Sequence, residues 1–221
     1  ALGDVYFNLA LIHGFSKTLD KEKAKEYFDK AITTYKSLNY KDGVFRASFG
    51  IGTLPYFVDK YPKDAIEYLN KALNIAEDMK NSVNEGMCYK ALADLYRNIA
   101  DYSNAEQFYN KALNISKETN PRLHLDSSYN LAWLYLVQLQ YEKAIEYLNQ
   151  SAEEAEKIGD LDLAIRAKSD GASAYISMGR YDEADKILKY ISAAKKFSVL
   201  SKSSKRSDIL PLELPENSPV K

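Results

Sequence analysis

Cysteine is nearly absent from this sequence, which has Cys88 as its single cysteine among 221 residues. One thiol excludes an intramolecular disulfide framework and fits a reducing compartment, so we expect a cytoplasmic chain. No run of 18 or more apolar residues occurs, and no secretory signal is visible at the start. The sequence therefore predicts neither a membrane-spanning helix nor a disulfide-stapled secreted domain.

The sequence also lacks the residue clusters that hold metals, cofactors or nucleic acids. Its two histidines, His13 and His124, lie in separate parts of the chain, and no histidine, cysteine or carboxylate cluster has metal-ligand spacing. There is no phosphate-binding glycine loop and no signal for a nucleophile paired with a base. The net charge of −1 gives no basic footprint for nucleic acid. We therefore expect no cofactor, no metal and no enzymatic activity.

What the sequence does have is a repeat with a period of about forty residues. Five alanines follow one another at spacings of 41, 40, 39 and 40: Ala24, Ala65, Ala105, Ala144 and Ala184. A large side chain comes four residues after each: Phe28, Leu69, Tyr109, Leu148 and Leu188. Spacings of three, four and seven residues place such positions on one helical face. The pattern predicts an array in which each unit buries its apolar face by stacking on the next.

A second helix precedes each of these in the clearest copies. Alanines three residues before tyrosines recur at the same period: Ala93 and Tyr96, Ala132 and Tyr135, Ala172 and Tyr175. A small residue at this position lets two helices approach closely while the ring fills the gap between units.

The pattern L-A-x-x-Y followed by A-x-x-x-F/Y/L-x-x-A resembles the tetratricopeptide repeat, over roughly residues 2 to 196. The period near forty is similar to the longer-helix variety found in kinesin light chains, Pins-type adaptors, Rap/PlcR-type regulators and MalT-like sensors. The resemblance implies an all-α, right-handed superhelical solenoid of about five antiparallel helix pairs.

We expect the repeat array to span residues 1–197 and a Ser/Lys-rich, then Pro-rich tail to span 198–221. The approximate repeats are 1–38, 39–80, 81–120, 121–160 and 161–197. The chain starts inside an apolar-periodic segment without methionine. Either an initiator methionine was removed or the sequence is a piece of a longer protein; the second is favoured because no polar capping unit precedes the first repeat.

Two copies depart from the pattern. In the second, Pro55 stands where Leu95 and Leu134 stand in later copies, so the first helix of that pair should kink or end early. In the first, the distance from the first-helix alanine to Ala24 is 14 residues instead of 12. Either the first inter-helix turn is two residues longer or the register there is wrong.

The resemblance implies that the first helix of each pair lines a concave groove. Groove-facing positions are then two and six residues before the small residue and one residue after it. In the second copy these positions hold Ala47, Ile51 and Leu54. The candidate peptide-binding residues are Asn8, Met87, Asp94, Asp126, Tyr129, Asn130, Trp133, Arg166 and Asp170.

The best-known groove chemistry of this family is a Lys/Arg/Asn clamp on a C-terminal carboxylate, and this sequence does not match it. Asp4 and Asp126 stand where the clamp has lysine, and Asp170 replaces its arginine. A terminal carboxylate would meet repulsion there, so we expect a neutral or basic partner.

Trp133 and Asn130 are the two groove positions with the most specific chemistry. Trp133, the only tryptophan, either packs between neighbouring helices or anchors a ligand in the middle of the array. Asn130 is better explained by binding, because a helix interior gains little from asparagine and an amide suits a peptide backbone.

These observations predict a non-catalytic adaptor that binds a peptide or protein segment in the groove. The alternative is a ligand- or peptide-sensing module of a larger signalling protein or transcription regulator. A third possibility is self-association through the repeat ends or the tail, in which Ile209–Leu214 would dock on a helical surface of its own or a neighbouring chain.

Overall fold

A computed structural model gives the fold, and it describes residues 2–16 and 20–203. Within these ranges the chain forms eleven α-helices and no strand. The helices are α1 (Leu2–Phe15), α2 (Lys21–Ser37), α3 (Lys41–Thr53), α4 (Pro55–Lys60), α5 (Pro62–Asp78), α6 (Ser82–Asn98), α7 (Tyr102–Ser116), α8 (Pro121–Val137), α9 (Tyr141–Lys157), α10 (Leu161–Ser177) and α11 (Tyr181–Ser203). The fold is all-α, as the sequence predicts.

The helices form five pairs, and each pair stacks on the next. The first member of each pair, the A helix, is α1, α3 with α4, α6, α8 or α10. The second member, the B helix, is α2, α5, α7, α9 or α11. Each B helix packs against its own A helix, and each of the first four also packs against the A helix that follows. The result is the predicted solenoid, whose core runs along the stack.

Tight turns of three residues set the antiparallel packing within the later pairs. Ala100, after α6, has a positive φ of 60°, and the N–H of Asp101 donates to the carbonyl of Tyr96 (2.9 Å). The Asp101 side chain then accepts from the N–H of Asn104 and caps α7 (3.2 Å). A left-handed residue that ends one helix is followed at once by the cap of the next, so the chain reverses within three residues.

The turn inside the first pair is longer, as the spacing predicts. α1 ends at Phe15 and α2 begins at Lys21, which leaves residues 16–20 between them. The equivalent turn between α8 and α9 consists of residues 138–140. Two extra residues therefore account for the longer spacing to Ala24.

The repeated small residues lie at close helix contacts. Ala105, Ala112 and Ala144 are fully buried and Ala184 is almost so, which confirms the predicted register of the B helices. The large residues four positions after each repeated alanine are also buried, except in the fifth repeat. There Leu188, which we expected on a buried face, is 47% exposed. In the described ranges no A helix follows α11, so nothing there covers this side chain.

The A helix of the second pair is broken where the sequence predicts. Helix α3 ends at Thr53, Leu54 is extended (φ −63°, ψ 123°), and α4 starts with Pro55. A residue before proline is driven out of the helical region, and proline itself is favoured at the first position of a helix. The break therefore follows directly from Pro55.

The predicted groove residues of this second repeat are wrong by one position. The three side chains are buried in the core: Ala47, Ile51 and Leu54. Helices α3 and α6 begin at Lys41 and Ser82, so Gly52 is the residue that matches Ala93. The positions that correspond to the groove are Arg46, Gly50 and Thr53.

The proposed docking segment Ile209–Leu214 lies outside the residues that the structure describes. Helix α11 runs on to Ser203, past residue 197, where we expect the array to end.

Candidate functional site

The A helices of the second, third and fourth repeats border a cavity of about 500 Å³, here called the central cavity. Most of its apolar lining comes from α3, α4 and α6, with one side chain from α8. The lining residues are Phe49, Gly52, Thr53, Pro55, Val58, Asp59, Met87, Lys90, Ala91, Asp94, Leu95, Asn98, Leu123 and Asp126. The cavity therefore joins an apolar interior to a charged rim.

Residues from both sides of the helix break line this cavity. Gly52 and Thr53 belong to the end of α3, whereas Val58 and Asp59 belong to α4. A Cβ atom at Gly52 would come within 2.7 Å of the side chain of Leu69, so only glycine lets α3 lie this close to α5. The break and the close approach together shape one wall of the cavity.

A smaller cavity of about 170 Å³, here called the polar cavity, lies between α6, α8 and α10. Its lining is Lys90, Arg122, Asp126, Tyr129, Asn130, Asp160, Asp162, Leu163 and Arg166. It shares Lys90 and Asp126 with the central cavity, so the two are continuous along the A-helix face.

Asp94 is held by four side chains from three helices. Lys90 Nζ lies 2.8 Å and Arg97 Nη2 3.7 Å from its carboxylate oxygens. The hydroxyl of Tyr109 and the Nδ2 group of Asn130 (3.2 Å) both donate to Oδ1. Burial, and then the nearby Asp94 charge, raise the pKa of Tyr109, which therefore stays a donor. These bonds occupy much of the hydrogen-bonding capacity of Asp94 and one N–H of the Asn130 amide.

The other predicted carboxylates of the groove are also engaged. Asp126 Oδ1 lies 3.2 Å from Arg122 Nε, and Arg122 reaches on to Asp160. Asp170 accepts from the hydroxyl of Tyr129 at 2.6 Å, and burial is the main reason why the pKa of Tyr129 is raised. Arg166, in contrast, is exposed and makes no ion pair with the part of the chain that the structure describes.

Trp133 is not packed away between helices, because 42% of its surface is exposed. The guanidinium of Arg97 lies 5.1 Å from its ring centre, which is cation–π distance. Arg97, Asn98, Tyr102, Tyr129 and Asn130 form a further surface cavity with it, between α6 and α8. The ring therefore retains a face that a ligand can reach.

The structure brings most of the predicted site residues together. Met87, Asp94 and Asp126 line the central cavity, Asp126, Tyr129, Asn130 and Arg166 line the polar cavity, and Trp133 lies beside them. Asn8 is exposed on α1 and lines neither of the two.

Several lining residues were missed by the sequence argument. Phe49, Thr53, Val58 and Asp59 come from the broken second repeat, where the register was wrong. Pro55 was the available signal, since a break in an A helix exposes side chains that a straight helix would pack.

Two kinds of reactive site, a metal centre and an activated thiol, are not found among residues 2–16 and 20–203. No group of three or more His, Cys, Asp or Glu side chains there is placed to hold a metal ion. Cys88 is buried, and burial raises the pKa of its thiol to about 12, which makes it a poor nucleophile. None of the helices described is both long and apolar enough to span a membrane.

Tetratricopeptide-repeat family models match residues 3–38, 58–118 and 126–157, together more than half of the chain. The chain therefore belongs to the tetratricopeptide-repeat proteins, as its motifs implied. It is 25% identical over 170 residues to tetratricopeptide repeat protein 29 of Trypanosoma brucei brucei, which is 75% of this chain and 31% of that protein.

Solved structures share the fold, and two of them come from Pyrococcus horikoshii and Bacillus subtilis. A signal transduction ATPase with numerous domains and a tetratricopeptide-repeat sensor, from Pyrococcus horikoshii, has a TM-score of 0.74 and 24% identity over 91% of this chain and 30% of its own. Aspartyl phosphate phosphatase F of Bacillus subtilis has a TM-score of 0.77 and 18% identity over 89% of this chain and 51% of its own. The chain thus spans from about 30% to about half of the length of these proteins.

Proposed function

We propose that this chain is a non-catalytic interaction module that binds a peptide or protein segment along its A-helix face. The observation that carries the proposal is the central cavity, which combines about 500 Å³ of space with an apolar interior and a polar rim. A segment could place one or two apolar side chains in such a cavity while its backbone bonds to the rim.

Two asparagines suit the backbone of an extended ligand. Asn98 is exposed and lines both the central cavity and the cavity beside Trp133. Asn130 donates to Asp94, which leaves its carbonyl oxygen as an acceptor. Trp133 stands next to both and offers an aromatic face, the type of side chain that dominates binding energy in many interfaces.

The test is a selection of displayed peptides on the folded protein, followed by titration of single peptides. Trp133 reports binding by its fluorescence, because it is the only tryptophan and is partly exposed. Ala91→Arg puts a long charged side chain into the central cavity and should abolish binding of the selected peptides. Ala193→Arg, at an exposed alanine of α11, is the matched control. Peptides that bind the Ala91→Arg variant as well as wild type would contradict the proposal.

A second candidate is a sensing module within a larger signalling protein or transcription regulator. It is favoured by the likeness to the Pyrococcus horikoshii ATPase, in which the tetratricopeptide repeats are a sensor and which is much longer than this chain. The test is the complete open reading frame. An ATPase, kinase or DNA-binding domain whose activity changes with groove ligands would favour it over the adaptor.

Self-association is the third candidate, and the outer face of α1 favours it. Leu2, Val5 and Ile12 recur at helical spacing there, and each is more than half exposed. Solution mass by light scattering tests it: a monomer at all concentrations excludes it.

The compartment that we propose is the cytoplasm, because Cys88 is the single cysteine of the sequence and is buried.

A further inference from the structure

The helix break leaves backbone carbonyls without a donor at two residues that line the central cavity. Pro55 has no N–H to donate back to α3. When the chain resumes as α4, the N–H groups of Phe57 and Val58 both donate to the carbonyl of Leu54, at 2.9 and 3.0 Å. The carbonyls of the two residues before Leu54 therefore receive no hydrogen bond from Phe57 or Val58.

Those two carbonyls belong to Gly52 and Thr53, which both line the cavity. No donor in the described part of the chain reaches their oxygen atoms. The Thr53 hydroxyl donates to the carbonyl of Phe49 (2.9 Å), so its proton is directed back to its own helix. Asp59, on the same wall, is exposed and makes no ion pair with the residues described. This wall is thus rich in acceptors and poor in donors.

The rest of the cavity does not compensate with free positive charge. Its charged lining consists of three carboxylates and one ammonium group: Asp59, Asp94, Asp126 and Lys90. The ammonium of Lys90 is held by Asp94 at 2.8 Å. A ligand that enters the cavity therefore meets the carbonyls of Gly52 and Thr53 and the carboxylate of Asp59 near α4. On α6 it meets Lys90, whose charge Asp94 already neutralises.

The interior between these walls is apolar. Phe49 and Val58 face it from the second repeat, and Met87 and Leu95 face it from the third. Methionine is an adaptable wall residue, because its unbranched side chain can repack around differently shaped partners. An aliphatic or aromatic side chain can fill this space.

We propose that the central cavity recognises a segment in which an apolar side chain stands next to a lysine or arginine. The apolar side chain fills the space beside Met87, and the cation donates to the carbonyls of Gly52 and Thr53 and pairs with Asp59. A segment with a carboxylate at this point places acceptor against acceptor and is rejected. This assignment rests on the binding function proposed above and adds the class of ligand.

The first arm of the test uses a random nonapeptide display library, selected on wild type after depletion on the Ala91→Arg variant. Enriched peptides should carry Lys or Arg within two positions of an apolar residue. Enrichment of acidic peptides, or of peptides without a basic residue, overturns the assignment and leaves the binding function standing. A selection that enriches nothing removes the binding function itself and the assignment with it.

The second arm measures the most enriched basic peptide, made as an acetylated amide, against single-site variants. Asp59→Asn should weaken its binding about three- to fivefold at low salt, and the difference should shrink as salt is raised, because the pair is exposed. Asp64→Asn, at an exposed aspartate of the B helix α5, is the matched control and should leave the affinity unchanged. Equal affinities of wild type and Asp59→Asn would overturn the assignment.

Discussion

Asp94 occupies a predicted groove position, yet its carboxylate is bonded to other residues of the repeat array. Its carboxylate binds Lys90 and Arg97 on its own helix, Tyr109 on α7 and Asn130 on α8. Tyr109 is fully buried, so its hydroxyl has no access to water as a substitute partner. Asp94 therefore links two repeats before any ligand arrives, and its removal should be felt in stability as well as in binding.

We expect Asp94→Ala to lower the free energy of unfolding by about 1–3 kcal/mol, because it orphans a buried hydroxyl. The same substitution in a Tyr109→Phe background should cost less, since the phenylalanine has no hydroxyl to orphan. Urea denaturation of the two single variants and the double variant measures the difference. Asp64→Ala, at an exposed aspartate, is the control. Strictly additive losses would show that Asp94 and Tyr109 do not depend on each other.

At the scale of helices, much of the fold followed from small residues and one proline. The alanine period placed all five B helices, and Pro55 located the break between α3 and α4. The groove register of α3 could not be read, because Gly52 and Thr53 are both small enough to be taken for the repeated alanine. The structure decides it, because α3 and α6 begin at Lys41 and Ser82 and a Cβ atom at Gly52 would collide with Leu69.

The candidate site could be predicted only where its residues lie on helices that keep the repeat period. Positions on the straight helices α6 and α8, such as Met87 and Asn130, keep the repeat phase and line the cavities. Val58 and Asp59 lie on α4, whose direction is set after the break, so periodicity carries no information about them. Likewise, a pattern of residue types does not reveal that Asp94 is already bonded to four side chains.

Close helix contacts give a prediction at this scale. Ala144 on α9 is fully buried against α8, so Ala144→Leu should force the two helices apart and destabilise the chain by about 1–3 kcal/mol. Ala193→Leu on α11 adds the same side chain at an exposed position and should have little effect. Thermal or urea denaturation measures both. Equal midpoints for Ala144→Leu and wild type would mean that the α8–α9 contact is not tight.

At the scale of the whole molecule, the two ends of the array differ in chemistry. Ile145 and Leu148 of α9 are buried, and Leu148 packs in one cluster with Ala167 of α10. The equivalent positions of α11 are Asp185 and Leu188, both exposed. The exposed face of α11 therefore carries an acidic side chain beside an apolar one, whereas Leu2, Val5 and Ile12 make the exposed face of α1 apolar. The α1 end is therefore the end at which a partner surface is expected.

Tyrosines fasten successive repeats to one another along the molecule. The hydroxyl of Tyr68 on α5 donates to Asp29 on α2 (2.7 Å), and that of Tyr190 on α11 donates to Glu156 on α9 (2.7 Å). Within the first pair, Tyr35 donates to Asp4 (2.8 Å). Each bond needs a protonated phenol beside a carboxylate, so these links depend on pH.

Burial, and then the hydrogen bond to a carboxylate, raise the pKa of Tyr35 and of Tyr190 from 10.0 to about 12. The same two causes raise the pKa of Tyr68 to about 12. Between pH 10 and 12 the unfolded chain has therefore lost phenolic protons that the folded chain still holds. Under that condition the free energy of unfolding decreases as pH rises.

We therefore expect the stability contributed by these tyrosines to be fully present below about pH 10 and to be lost progressively toward pH 12. Urea denaturation at pH steps from neutral to alkaline measures the slope. Tyr68→Phe should make this slope shallower. The variant lacks the phenol that links the second repeat to Asp29 of the first, so no proton is lost there at high pH. Tyr181→Phe, at an exposed tyrosine, is the matched control. If Tyr68→Phe and Tyr181→Phe gave the same alkaline slope as wild type, the tyrosine–carboxylate links would not be what holds the repeats together at high pH.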